Sequence, residues 1–123
     1  MLPKILLSTL LLFCMSCQEN KKSERICIEE TKRKMEKVYN IVKRYSYINK
    51  DFNASGAIIP DDIWKQHPCD GQYVFSSRKF IESSSIPMMV DWYSYKELGD
   101  YKLVLYQDGS IGKALPLEIA PLL

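Results

Sequence analysis

The side chains of this chain able to act as nucleophiles, soft metal ligands or proton carriers near neutral pH are four cysteines, Cys14, Cys17, Cys27 and Cys69, and one histidine, His67. Their spacing restricts the chemistry. Cys14 and Cys17 make a Cys-x-x-Cys pair at the end of the apolar run "LLLFCMSC", where no folded helix start is available to lower a thiol pKa. His67-Pro68-Cys69 are neighbours in the turn-forming stretch "HPCDG". A nucleophilic thiol–imidazole pair there is a weak candidate, and Cys27, His67 and Cys69 lack the paired ligand spacing of a zinc site. Asp91, Asp100 and Asp108 offer hard oxygens that suit calcium only if the fold gathers them. The plainer reading has Asp91 at a strand end, Asp100 in solvent and Asp108 in a turn. No catalytic constellation, metal or cofactor is therefore expected.

The first 17 residues explain two of the four cysteines. Met1 to Lys4 is a short basic start, and residues 5–13 are apolar apart from Ser8 and Thr9. That run is far shorter than the roughly 20 residues a membrane-spanning helix needs, and has the length of a signal-peptide core. "LFCMSC" resembles a bacterial lipoprotein signal, with the small residue Ser16 directly before Cys17 and the bulky Phe13 before Cys14. The resemblance implies a signal peptide over 1–16, lipidation of Cys17, and a protein held at a cell-envelope membrane, facing the periplasm or cell surface. Residues 17–24 are polar and aperiodic, as a tether would be. The acyl chains supply the membrane affinity, about 0.8 kcal/mol per buried CH₂. Cys27 and Cys69 then remain in an oxidising compartment, where a disulfide is expected.

The elements that must position these groups lie in residues 25–123. Ser23 can cap a helix start. Ile28, Met35, Val38, Ile41, Val42, Tyr45 and Ile48 recur at spacings of three, four and seven, the stripe of one amphipathic helix over about 23–49. A loop follows, then a helical turn at Pro60-Asp61-Asp62-Ile63-Trp64 with its acidic pair at the positive end. From Gln72 the pattern is that of strands: Tyr73-Val74-Phe75, then Phe80-Ile81 as a continuation or a second short strand, then 87–92, 102–107 and 110–115. Asp108-Gly109 predicts a two-residue hairpin with positive φ at both positions. The apolar tail from Pro116 is expected to pack on another element. The fold class is α+β: one long helix on a three- to four-stranded antiparallel sheet.

The stretch "PMMVDWYSYKELGDYKLVLYQDGSIGKAL" resembles the C-terminal part of pilin-like and pseudopilin-like proteins of type II secretion. The similarity is to the group whose signature is a histidine, nine residues and Asp-Gly. Asp91 matches the first aspartate of that pattern and Asp108-Gly109 the hairpin, while the family histidine falls on Leu98. The glycine cleavage site, early glutamate and long apolar stem of pilins are not present, so the resemblance implies a pilin-type head on a lipid anchor. It also raises the case for calcium near Asp91, Asp100 and Asp108.

Composition narrows the function classes. Seventeen basic and fifteen acidic residues give a net charge of +2, which names no partner. The basic residues around "KRK" interleave with acids as on a solvated helix face, so nucleic-acid binding is not expected. Trp92, Tyr93, Tyr95 and Tyr101 cluster near one loop, either as a partner surface or as packing between sheet and helix. The reading is a non-catalytic, monomeric envelope lipoprotein that binds or supports envelope or secretion proteins. The alternative is a small periplasmic enzyme or enzyme inhibitor.

Overall fold

The computed structural model describes residues 23–49 and 58–123. The expected signal peptide, the lipidation site Cys17 and nearly all of the tether lie outside the described residues.

Helix α1 spans Glu24–Ser46, which at 1.5 Å per residue is roughly 35 Å. Ser23 caps it: the side chain accepts the Ile26 N–H at 3.3 Å. Glu24 lies in the first turn and Lys43 and Arg44 in the last, each sign at the helix end that favours it. The buried stripe is Cys27, Ile28, Thr31, Met35, Val38 and Val42. Ile48 does not belong to it and is 84% exposed. The helix closes at Ser46, where the Tyr47 N–H turns back to the Arg44 and Tyr45 carbonyls, so the 3.6-residue period no longer aims Ile48 at the core. A one-turn helix, α2 (Asp61–Trp64), leads to the "HPCDG" turn.

Strands β1 (Tyr73–Phe75), β2 (Pro87–Asp91), β3 (Lys102–Tyr106) and β4 (Ile111–Ala114) form an antiparallel sheet in the order β1-β2-β3-β4. The chain is thus α+β, a long helix packed on a four-stranded antiparallel sheet. The alternation along strands sends Tyr73, Phe75, Met89, Leu103, Leu105 and Ile111 toward α1. A register irregularity between Pro87 and Met89 lets Met88 join the same core. The far face carries Val90, Val104 and Ala114. The apolar tail covers that face: α3 (Pro116–Ile119) and a 3-10 turn (Ala120–Leu122) bring Ile119 and Leu123 onto it.

Two expectations need correction. Phe80-Ile81 is not a strand: Phe80 is buried, Ile81 is exposed, and the backbone there is held by a side chain instead. Gln107, fully buried, accepts the Ile81 N–H at 2.9 Å and donates to the Lys79 carbonyl at 3.1 Å, so a side chain takes the place of a strand at these two backbone groups. The hairpin is not a two-residue turn either. The Gly109 N–H bonds the Tyr106 carbonyl and the Tyr106 N–H bonds the Ser110 carbonyl, both at 2.9 Å, enclosing Gln107, Asp108 and Gly109. Only Gly109 has positive φ, at 90°, the pattern of a type I turn closed by a glycine bulge. Asp108 spends its carboxylate on the Ser110 hydroxyl and N–H, bonds that hold its pKa below the usual carboxylate value.

Candidate functional site

The chemistry-bearing residues meet between α1 and the β1–β2 half of the sheet. Asp91 ends β2 with its side chain on the helix side, opposite Tyr73 of β1. It is fully buried and accepts three hydrogen bonds: from His67 Nε2 at 2.7 Å, the Tyr95 hydroxyl at 2.5 Å and the Tyr93 N–H at 3.1 Å. His67 comes from the turn after α2. Its Nδ1 accepts the Cys69 N–H at 3.0 Å, so the ring proton resides on Nε2 and is donated to Asp91. The imidazole side chain is 1% exposed.

Aromatic rings and a glycine seal the cluster. Tyr93 stacks on His67 with ring centroids 5.4 Å apart, and Tyr95 lies 4.6 Å from Tyr93. A β-carbon on Gly71 would stand 2.9 Å from Tyr93 Cβ and 3.0 Å from the His67 ring, so the close approach of turn and ring requires glycine. Asp70 before it adopts φ 60°, a left-handed conformation aspartate tolerates. From α1, Thr31 is fully buried and its hydroxyl pairs with the Tyr73 hydroxyl at 2.9 Å. Burial pushes the Tyr73 phenol up to about 12, reinforced by the negative charge of Asp91 and opposed by the Thr31 hydrogen bond. Burial, and then the hydrogen bond to Asp91, push the Tyr95 phenol up further.

The disulfide anchors this arrangement. Cys27 on α1 and Cys69 beside His67 are bonded, with Cα atoms 5.9 Å apart. Next to them, Lys34 donates to the carbonyls of Asp62 and Ile63, both at 3.3 Å, and of Gln66, which ties α2 down on α1. An open polar cleft of about 380 Å³ lies there, lined by Glu30, Lys34, Asp62, Gln66, His67 and Pro68. A general base at its floor needs a nitrogen free to take a proton from a substrate. His67 has both nitrogens engaged, and the sulfur nearest to it in sequence, that of Cys69, is in the disulfide. The arrangement holds two protons on one carboxylate, one from the imidazole and one from the phenol, out of contact with solvent.

The other candidate residues do not join this cluster as one set. The calcium candidates do not converge: Asp91 is consumed by its three donors, and Asp108 by Ser110. Among the described residues no group of three or more His, Cys, Asp or Glu side chains can hold a metal ion. The aromatic cluster divides. Tyr95 is 1% exposed and Tyr93 half-buried against His67, so neither forms a free surface, whereas Trp92 and Tyr101 are exposed. The reason is the two-residue period: Tyr93 and Tyr95 follow Asp91 inward, and Trp92 points to the far face beside Lys102, whose Nζ donates to the Trp92 carbonyl and the Ser94 hydroxyl. Thr31, Tyr73 and the role of His67 escaped the sequence reading. The signal that exposes them is Asp91, a carboxylate two residues from Met89 on the face that buries apolar side chains, which demands donors nearby.

No protein-family model, no curated protein and no solved structure matches the chain. Among the described residues no helix is long and apolar enough to cross a membrane.

Proposed function

We propose that this protein is a non-catalytic, lipid-anchored module of the bacterial cell envelope, with a pseudopilin-like head that binds or supports another envelope component. The observation that carries the non-catalytic part is the sealed imidazole: the one histidine of the chain is 1% exposed and hydrogen-bonded at both ring nitrogens. Ser16-Cys17 after a short apolar core supports the anchor, and the disulfide agrees with an oxidising compartment. One long helix on an antiparallel meander with an Asp-Gly hairpin supports the pilin-type likeness. Filament assembly does not follow from it, since function resides in sites rather than folds.

Mass spectrometry of the N-terminal peptide tests the anchor: an acylated Cys17 is expected, and an unmodified Met1 or Cys14 in the processed protein overturns it. Esterase and peptidase assays of wild type and His67→Ala test the rest. No turnover by either is expected. Turnover that His67→Ala abolishes would install the enzyme reading in its place.

A further inference from the structure

The outer edge of β4 is unpaired among the described residues, and it borders an apolar pit. The Tyr106 N–H to Ser110 carbonyl bond sets the phase of the β3–β4 ladder. With the register Val104↔Gly112 and Lys102↔Ala114, the backbone groups of Gly112 and Ala114 face β3, and those of Ile111 and Lys113 face outward. No strand lies beyond them in the sheet order. Beside this edge, on the helix side, a pit of about 190 Å³ is lined by Lys32 of α1, Leu98, Leu103, Ile111, Gly112 and Lys113. Its floor is apolar, two lysines stand at its rim, and no carboxylate lines it.

We infer that this groove between β4 and α1 accepts an extended acidic segment of a partner protein as a fifth strand. The free N–H and C=O groups of Ile111 and Lys113 supply main-chain pairing, and the pit selects one apolar side chain on the inward face. Carboxylates two residues to either side of that side chain fall on the same face, where they meet Lys32 and Lys113. The same lysines argue against a second copy of the chain, because two β4 edges paired together would set like charges against each other. The inference rests on reading the head as a binding module.

The probe is an acetylated, amidated heptapeptide alternating threonine with aspartate, leucine and aspartate, added to the full-length protein in detergent micelles. Saturating peptide is expected to slow amide hydrogen exchange of Ile111 and Lys113 at least tenfold. A Lys32→Glu, Lys113→Glu double variant should weaken binding at least tenfold and prefer the same peptide with lysines for aspartates. The inference is overturned by unchanged exchange at millimolar peptide, by equal binding of a backbone N-methylated peptide, or by equal binding of the lysine peptide to wild type. Protection of these amides by protein concentration alone would assign the edge to a second copy instead. Cleavage of the peptide would overturn the binding-module reading itself, whereas an intact, unbound peptide removes only this inference.

Discussion

Asp91→Ala is expected to be among the most damaging substitutions in the chain. The carboxylate satisfies the His67 Nε2–H, the Tyr95 O–H and the Tyr93 N–H in a fully buried setting. After truncation the Tyr95 oxygen, 3.3 Å from Nε2, can accept the imidazole proton. The Tyr95 proton and the Tyr93 N–H are left without partners. Two unsatisfied donors, the Tyr95 hydroxyl buried and the Tyr93 N–H part-buried, at about 1–3 kcal/mol each give a loss of roughly 2–6 kcal/mol. At about 4–8 °C per kcal/mol for a domain of this size, the melting temperature should fall by roughly 10–45 °C. Thermal unfolding followed by near-ultraviolet circular dichroism, with the disulfide intact, measures it. Asp91→Asn, which keeps one carbonyl acceptor, should lose about half as much. Combining Asp91→Ala with Tyr95→Phe removes the orphaned Tyr95 proton but also the oxygen that accepts the imidazole proton, so two donors stay orphaned. Because both single variants lose the same Tyr95–Asp91 bond, the two effects should fall short of additivity by about 1 kcal/mol or more. A melting shift below about 5 °C for Asp91→Ala, or strict additivity with Tyr95→Phe, would show that the network does not hold the sheet to the turn.

Gly109→Val should destabilise by about 1–3 kcal/mol, because φ is 90° there and a β-carbon would stand 2.8 Å from the Tyr39 ring; an unchanged denaturation midpoint would refute the bulged hairpin. Reducing the Cys27–Cys69 bond, which closes a loop of roughly 43 residues, should cost about 4 kcal/mol by the chain-entropy model, read as a lowered urea midpoint with and without reductant. Alkaline pH should unfold the protein through its buried phenols. Tyr73 has its pKa raised by burial from 10.0 to about 12, so the unfolded chain releases this proton first, and the stabilisation present below pH 10 is lost as pH rises toward 12. Melting temperatures from pH 8 to 11.5 should fall more steeply for wild type than for Tyr73→Phe, and parallel curves would exclude the assignment.

Much of the architecture was legible because it depends on local periodicity. The helix stripe, the four strand positions and the turn residues repeat at short range, so residue type and spacing alone place α1, β1 to β4 and the hairpin. The cysteine pair was legible for a different reason: reading Cys14 and Cys17 as part of a signal segment left Cys27 and Cys69 as each other's expected partner whatever the fold, and the two are bonded. Even there the limits were local ones. The end of α1 lacks a glycine or proline to mark it, so Ile48 was placed on a stripe it does not share. The loop around Phe80 and Ile81 looked strand-like because its stabilising partner, Gln107, lies a full hairpin away in sequence.

What the tertiary structure alone decided is the fate of the polar residues. His67 sits in turn chemistry that favours exposure, and only the packing of the "HPCDG" turn between α1 and the sheet buries it. Asp91 and Asp108 have the same side chain and opposite fates: one meets His67, Tyr95 and a backbone N–H in the core, the other a serine in a hairpin at the surface. Thr31 on the helix and Tyr73 on β1 are 42 residues apart and find each other only across the interface. Hydrophobic burial is non-directional and can be read from a pattern, whereas a hydrogen bond needs a particular donor at about 2.9 Å in a particular direction. That direction exists only once the helix, the turn and the sheet are in place together.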